Sequence, residues 1–388
     1  MSTTQYGYFL IADITGYTGY LSKSELDHAQ QTLTALLNLL IEHTRPPLVI
    51  SRLAGDAVIS YGLQDNFFQG QTFVETIEDT YVAFRRAIDL MVLNTTCKCN
   101  ACANINTLDL KFFVHYGAFG IQKLDHHDEM VGADVIVIHR LLKNHVVEKT
   151  GIRAYALYTD AAIQQLGLSD ICEAMTPHIE TYEHLGDVKT WIQDMHPVWQ
   201  AKKDTVEFSI PPEKIVFAVE AEVALPLETV WNYLMQPEFR RVLIGSDRQE
   251  IVDRKRGRVA EGSVYMCYHG DQLIRQKVIL WKPFDRVITQ DLIPVPFPNV
   301  TAYVEYRLSR TENGTRIVQA VSKAVTGSFL GRLMVDLVMP TKYREFAHDI
   351  ENFKKHLEED ATARGYASER TAPTSETVSA AAAESLHG

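Results

Sequence analysis

The chain contains no apolar run approaching the roughly 20 residues that a helix needs to cross a bilayer. Its first residues also lack the basic-then-apolar pattern of a signal peptide. These two absences point to a cytoplasmic protein without a transmembrane segment. Excess basic charge is missing too: the formal net charge is −11 over 388 residues, which argues against a general nucleic-acid binder. Cysteine is scarce, with five in all, so no disulfide framework is expected in a reducing compartment. Asn313-Gly314-Thr315 matches a glycosylation sequon but reads as a hairpin turn in such a protein. No internal repeat is visible. What is present is ordinary for a globular protein, 46% hydrophobic and 22% charged. The length exceeds a single compact core, so two domains are expected.

The polar stretch from Gln200 to Pro212, ending in a double proline, is the candidate linker. It divides the chain into residues 1–205 and 206–360. From about Ala361 onward, Ala, Ser, Thr and Glu dominate, and residues 361–388 are expected to be a disordered tail. The first part alternates strand and helix. Tyr8 to Ala12 reads as a buried strand, and Ser22 with Glu25 suggests a capping box. Leu26, Ala29, Leu33, Leu36, Leu37 and Leu40 follow at helical spacing. Leu48 to Leu53 and Ala57 to Tyr61 flank a tight Ala54-Gly55-Asp56 turn. A helix is predicted from about Thr72 to Leu93 and a strand from Leu108 to Phe119. A charged connection, Gln122 to Glu129, leads to a helix over Val131 to Val146. These elements make an α+β domain, a mixed sheet with helices packed on it.

Asp13 ends the first apolar run in IADITGYT. A lone carboxylate there is costly to desolvate unless a cation or donor meets it. A helix cap and a metal ligand are both open from this residue alone. Asp56, at the tip of the second hairpin, is its candidate partner. Two adjacent carboxylates repel unless they share a proton or hold cations, and oxygen ligands of this kind suit Mg²⁺ or Mn²⁺. The Thr15-Gly16 turn offers backbone N–H groups for phosphate.

IADITGYT and LAGDAV resemble the two metal-aspartate motifs of the class III nucleotidyl cyclases. LKFFVHYGAFG and GADVIVIHRLL are similar to later motifs of that family, in the same order, and the resemblance covers about residues 5 to 195. It implies a ferredoxin-like cyclase homology domain acting as a homodimer with shared sites. Asp13 and Asp56 would hold metals, and the 3′-hydroxyl of a nucleoside triphosphate would attack its own α-phosphate. Arg140 matches the arginine that steadies charge on the phosphates. The purine-reading positions fall on Arg52 and near Glu129. The family's transition-state asparagine falls on Ile136, which forms no hydrogen bond through its side chain, so turnover is not implied with the fold.

CKCNAC places Cys97, Cys99 and Cys102 within six residues. Three thiolates at this spacing could hold Zn²⁺, with His115, His126 or His127 as a fourth ligand by chemistry alone; ordinary free thiols are the competing reading. Cys172 and Cys267 read as buried apolar residues.

Beyond the linker the pattern changes. A strand, Ile215 to Val223, precedes a short helix, Leu227 to Met235, and then several strands separated by turns, with Asn313-Gly314 marking one hairpin. Phe346, Ile350, Phe353 and Leu357 recur at helical spacing in a closing helix that Pro340 is expected to kink or divide. AEVALPLETVWNYLMQPE and KVILWKPFDRVIT resemble the START-like (SRPBCC, polyketide cyclase) superfamily over roughly residues 213 to 358. The resemblance implies a helix-grip fold, a curved antiparallel sheet around a long C-terminal helix, with a cavity for a hydrophobic small molecule or lipid. Trp231 reads either as cavity lining or as plain core, and His269 and Asp271 as turn residues. Two functions follow: a signalling protein with a nucleotide-binding, cyclase-like module, or a ligand-binding protein whose first domain is a dimerising scaffold.

Overall fold

The computed structural model describes residues 4–45, 48–64, 70–124, 127–203, 208–255, 257–293, 300–326 and 329–365. In the first half, β1 (Gln5–Thr15) is followed by α1 (Tyr17–Lys23) and α2 (Leu26–Thr44), the hairpin β2 (Val49–Ala54) and β3 (Ala57–Leu63), and the long α3 (Gly70–Asn94). Then come α4 (Asn100–Ala103), β4 (Asp109–Leu124), β5 (His127–Val131), α5 (Ala133–Leu141), α6 (Val146–Thr150), β6 (Tyr155–Thr159), α7 (Asp160–Gln165), α8 (Ser169–Cys172), β7 (Thr176–Tyr182), β8 (Gly186–Asp194) and α9 (His196–Lys203). The strands form a mixed sheet in the order β2-β3-β1-β4-β6-β8-β7, with β5 paired to the far end of β4. Only the β4–β6 pair is parallel among these described strands.

Strand alternation decides what each face carries. On β1, Tyr8, Leu10, Ala12 and Ile14 join the core with α2 and α3. Phe9 and Ile11 point the other way, into a second core with Val135, Ile138 and Leu141 of α5. Asp13 continues that second set and lies at the α5 side of the sheet.

Several expected elements differ. Glu25 is the N-cap of α2 without a side-chain cap bond; its carboxylate instead accepts the backbone N–H of Ala101 at 3.0 Å. No capping box forms, because the ends of the chain segment around α4 compete for the same acid. The charged connection after β4 is an extension of that strand paired with β5 over Gly120–Leu124 and His127–Val131. One face of this pair packs on the second core through Met130 and Ile121, while Gln122 and Val131 stay exposed. The single helix expected over Val131 to Val146 is two, α5 and α6.

In the second half, β9 (Ile215–Val223) precedes α10 (Leu227–Met235) and α11 (Pro237–Leu243). Six more strands follow: β10 (Arg248–Asp253), β11 (Val264–His269), β12 (Gln272–Lys282), β13 (Arg286–Ile293), β14 (Val300–Thr311) and β15 (Gly314–Ser322). They form an antiparallel sheet ordered β10-β11-β12-β13-β14-β15-β9. At the β14–β15 turn a Cβ on Gly314 would stand 2.1 Å from the carbonyl oxygen of Val223, so only glycine lets β9 approach there. The closing helix α12 (Phe329–Ala363) runs through Pro340 without dividing, losing one i−4 bond but not its course. It also passes the expected tail boundary: Ala361 is buried in the core with Ile350, Phe353 and Leu357. Residues 366–388 of that tail, residues 204–207 of the linker and residues 294–299 lie outside the described residues. Among the described residues, no helix is long and apolar enough to cross a membrane.

The two sheets meet at a polar seam. Glu75 of α3 is fully enclosed and accepts hydrogen bonds from Gln71 Nε2 at 3.0 Å, Trp231 Nε1 at 2.9 Å and Trp281 Nε1 at 2.7 Å. Gln71 also exchanges bonds of 2.7 and 2.9 Å with the backbone of Val259, and Thr72 donates to Asn232 at 2.7 Å. Arg258 pairs with Glu78 at 2.7 Å. Trp231 is therefore core, fully buried, but its indole N–H serves the seam and not a cavity.

Candidate metal and nucleotide site

The register of the first sheet assembles the acidic pair. Asp13 stands opposite Ala57 on β3 and opposite Lys111 on β4. The turn before Ala57 is closed by Gly55 in the left-handed region at φ 65°, and the Asp56 carbonyl accepts the N–H of Ile14 at 3.2 Å. Asp56 thus sits beside the end of β1. Burial first, then the charge of Asp56, pushes the Asp13 carboxyl up to about 6, and Lys111 only partly opposes them. Burial also raises Asp56. Each acid is held in its charged form at a cost that a hard divalent cation would remove.

Thr15 and Gly16 follow directly. Gly16 has φ 88°, and its peptide packs against Thr107, where a Cβ would stand 3.1 Å from a carbonyl oxygen. The Thr15 hydroxyl is buried with no partner among the described residues. On the same sheet face, Arg52 of β2 forms a two-pronged pair with Glu129 of β5, at 2.9 and 3.1 Å. The structure therefore brings together the two positions matched to purine reading. It adds one the sequence did not single out, His139 of α5, whose Nε2 lies 3.4 Å from Arg52 Nη2. Burial, then the neighbouring guanidinium, lowers the His139 pKa. Arg140 and Ile136, one helical turn apart on α5, are both exposed, Ile136 at 53%. No described residue hydrogen-bonds or pairs with the Arg140 side chain, so within one chain this guanidinium faces outward.

A second constellation lies on the opposite side of the sheet. Cys97, Cys99 and Cys102 surround His28 of α2, with Nδ1–Sγ distances of 3.7, 3.3 and 3.5 Å. All four ligand atoms lie within 4.8 Å of one another. A tetrahedral Zn²⁺ at ordinary bond lengths separates nitrogen from sulfur by about 3.5 Å. The histidine grouped with the three thiols is thus neither His115 nor His127. His115 belongs to the other sheet face, its Nδ1 2.8 Å from Thr159 Oγ1 and its Nε2 3.2 Å from Asp134 Oδ1. His127 begins β5, on the arm beyond β4, and His126 lies outside the described residues. His28 stands some seventy residues before the cysteines, and its only sequence signal is its place one turn after Glu25 on α2.

A family described as a protein of unknown function (DUF2652) matches residues 33–150. An uncharacterized protein of Mycobacterium tuberculosis, Rv2561/Rv2562, is 31% identical over 112 residues, 29% of this chain and 50% of the relative. The chain thus spans about half the length of the curated relative it matches. Among solved structures, the guanylyl cyclase Cya2 is 13% identical over 49% of this chain and 92% of its own, with a TM-score of 0.37. A bacterial light-regulated adenylyl cyclase is 11% identical over 53% of this chain and 59% of its own, with a TM-score of 0.38.

Proposed function

We propose that the protein is a signalling module in which a divergent class III cyclase-like domain binds a nucleoside triphosphate with Mg²⁺ or Mn²⁺, and a START-like domain binds a small apolar molecule. The observation that carries the first half is the acidic pair: Asp13 and Asp56 are placed side by side by strand register, and Asp13 is raised by Asp56. The strand order β4-β1-β3-β2 supports the ferredoxin-like reading. The Arg52–Glu129 pair supplies a polar edge suited to a base. Arg140, exposed and unpaired among described residues, suits contact with a nucleotide held by a second copy. The order strand, two short helices, six antiparallel strands and long helix supports the helix-grip reading of the second domain. The seam through Glu75 joins the two by hydrogen bonds.

The test is binding of a fluorescent ATP or GTP analogue in the presence of Mn²⁺. Binding is expected in the wild type and lost in the Asp13→Ala, Asp56→Ala double variant. Manganese-independent binding, or binding that survives in the variant, would end the metal–nucleotide reading. Mixing Asp13→Ala chains with Arg140→Ala chains then tests the shared site, since one intact site forms per heterodimer. No recovery from confirmed heterodimers rules out sharing. A second reading, a dimerising scaffold without turnover, is favoured by Ile136, an exposed apolar residue where the family places asparagine.

The His28–Cys97–Cys99–Cys102 group is proposed to hold structural Zn²⁺, tying the α3–β4 connection to α2. Protein purified without chelator is expected to carry about one zinc per chain by atomic emission, and Cys99→Ser and His28→Ala to lose it. Metal-free wild type with three titrating thiols would show ordinary cysteines instead.

A further inference from the structure

Arg240 of α11 is completely buried, among the largest enclosed side chains of the molecule. Its Nε and both Nη atoms have no hydrogen-bond partner among the described residues. The guanidinium lies over the rings of Tyr265 and Tyr306, 4.8 Å from each centroid. Those rings offset part of the charge, but they leave five N–H donors without acceptors. A buried cation in that condition is strongly unfavourable unless something else meets it.

The surrounding inner face of the second sheet is polar and equally enclosed. Gln249 Nε2 donates to Cys267 Sγ at 3.3 Å, Cys267 contacts Gln276 Oε1 at 3.3 Å, and Gln276 Nε2 donates to Asp291 Oδ2 at 2.7 Å. This chain crosses β10, β11, β12 and β13. It ends on an unpartnered Asp291 Oδ1, and the Tyr265 hydroxyl and Gln319 Oε1 are unpartnered too. Gln319 stands opposite Tyr306 in the β14–β15 register. The same cluster is walled by Val278, Val304, Ile350 and Phe353. Where an apolar interior was expected, the sheet and α12 enclose a cation with polar groups around it and apolar walls.

We propose that the second domain binds a small organic carboxylate, its carboxylate on Arg240 and its apolar body against the walls of the core. This rests on the reading of that domain as a ligand-binding module and names the chemistry of the ligand. A carboxylate meets a guanidinium edge with two parallel hydrogen bonds, and the two tyrosine rings hold the guanidinium plane for it. The site has one fully buried cation with the Asp291 carboxyl close by, so it tolerates little added negative charge and disfavours a monoanion less than a phosphate dianion. Unpartnered acceptors on Gln319 and Asp291 suit a ligand that also carries a hydroxyl or amide donor.

The test uses the full chain, stripped of bound small molecules by reversible urea unfolding, with sodium octanoate as probe and 1-octanol as its neutral counterpart. Octanoate is expected to raise the melting temperature of the wild type, octanol to have at least tenfold weaker effect, and Arg240→Met to abolish the octanoate response. The variant's own urea midpoint is expected to equal or exceed that of the wild type, because an unpaired cation is removed. Equal responses to octanoate and octanol overturn the carboxylate site while leaving an apolar ligand site standing. No response to either overturns both. A response to octanoate that persists in Arg240→Met, or a fall in the variant's urea midpoint, marks Arg240 as a structural cation and overturns the proposal.

Discussion

Glu75, whose carboxyl is pushed up by burial, and Arg240 are both ionisable and fully buried, yet they are met differently. Glu75 sits at the seam with three donors converging on its two oxygens, one from its own helix and two from indoles of the second half. Arg240 sits inside the second sheet with two aromatic faces and no acceptor among the described residues. Burying a charge is tolerable when the protein supplies its hydrogen bonds, and costly when it does not. The first arrangement therefore reads as architecture and the second as a place kept for something else. Asp13 and Asp56 fall between the two: partly buried, mutually repelling and open to solvent, as a metal site requires.

The largest expected effect comes from emptying the satisfied site. Glu75→Leu leaves the indole N–H groups of Trp231 and Trp281 without their acceptor, while Gln71 keeps the Val259 carbonyl, and is expected to lower stability in urea unfolding by about 3–5 kcal/mol. A loss under about 1 kcal/mol would show that the seam is not held by this acid, and the contrast with Arg240 would fail.

A smaller effect separates the acids by pH. Burial raises Asp291 to about 6 from the ordinary 3.8. A folded-state pKa above the unfolded value means that the folded chain holds its proton longer. Stability from this group is thus full below about pH 4 and is lost as pH rises through about 6. The difference between wild type and Asp291→Asn is expected to change by on the order of 2–3 kcal/mol across that window. A difference independent of pH would mean that Asp291 is solvated or paired in solution. Asp13, also raised to about 6, follows the same sign in the absence of metal.

The smallest effect belongs to an exposed pair. Arg52 and Glu129 are each more than a third exposed, so Arg52→Met is expected to cost under about 1 kcal/mol. Its consequence should instead appear as altered preference between ATP and GTP analogues. A large loss of stability would make the pair a strut of the β5 arm and not a base-reading edge.

Much of this was readable from local pattern. Apolar alternation on Tyr8 to Ile14, helical spacing on Leu33 to Leu40 and the glycine turn before Asp56 are each decided within a few residues. They put Asp13 at a strand end and Asp56 in a tight turn, and the two meet on the condition that the hairpin lies beside β1, which the β1–β3 register meets. The cysteines announced themselves by crowding. The β5 arm was missed because its charged residues resemble a loop, and strand pairing there is set by the partner strand, not by composition. Glu25 was misread as half of a capping box with Ser22 because the group its carboxylate meets, the N–H of Ala101, is distant in sequence.

By itself, then, the sequence determined most of the strands and helices, one acid at the end of β1, another in the β2–β3 turn, and the three crowded thiols, since each of these depends on residues a few positions apart. Only the tertiary structure decided that His28 completes the cysteine group, that Trp231 and Trp281 both serve Glu75, and that Arg240 is enclosed without a partner. Each of those depends on packing between segments from tens to about two hundred residues apart. A buried charge is satisfied or orphaned by whatever the fold brings to it, and composition along the chain carries no record of that meeting.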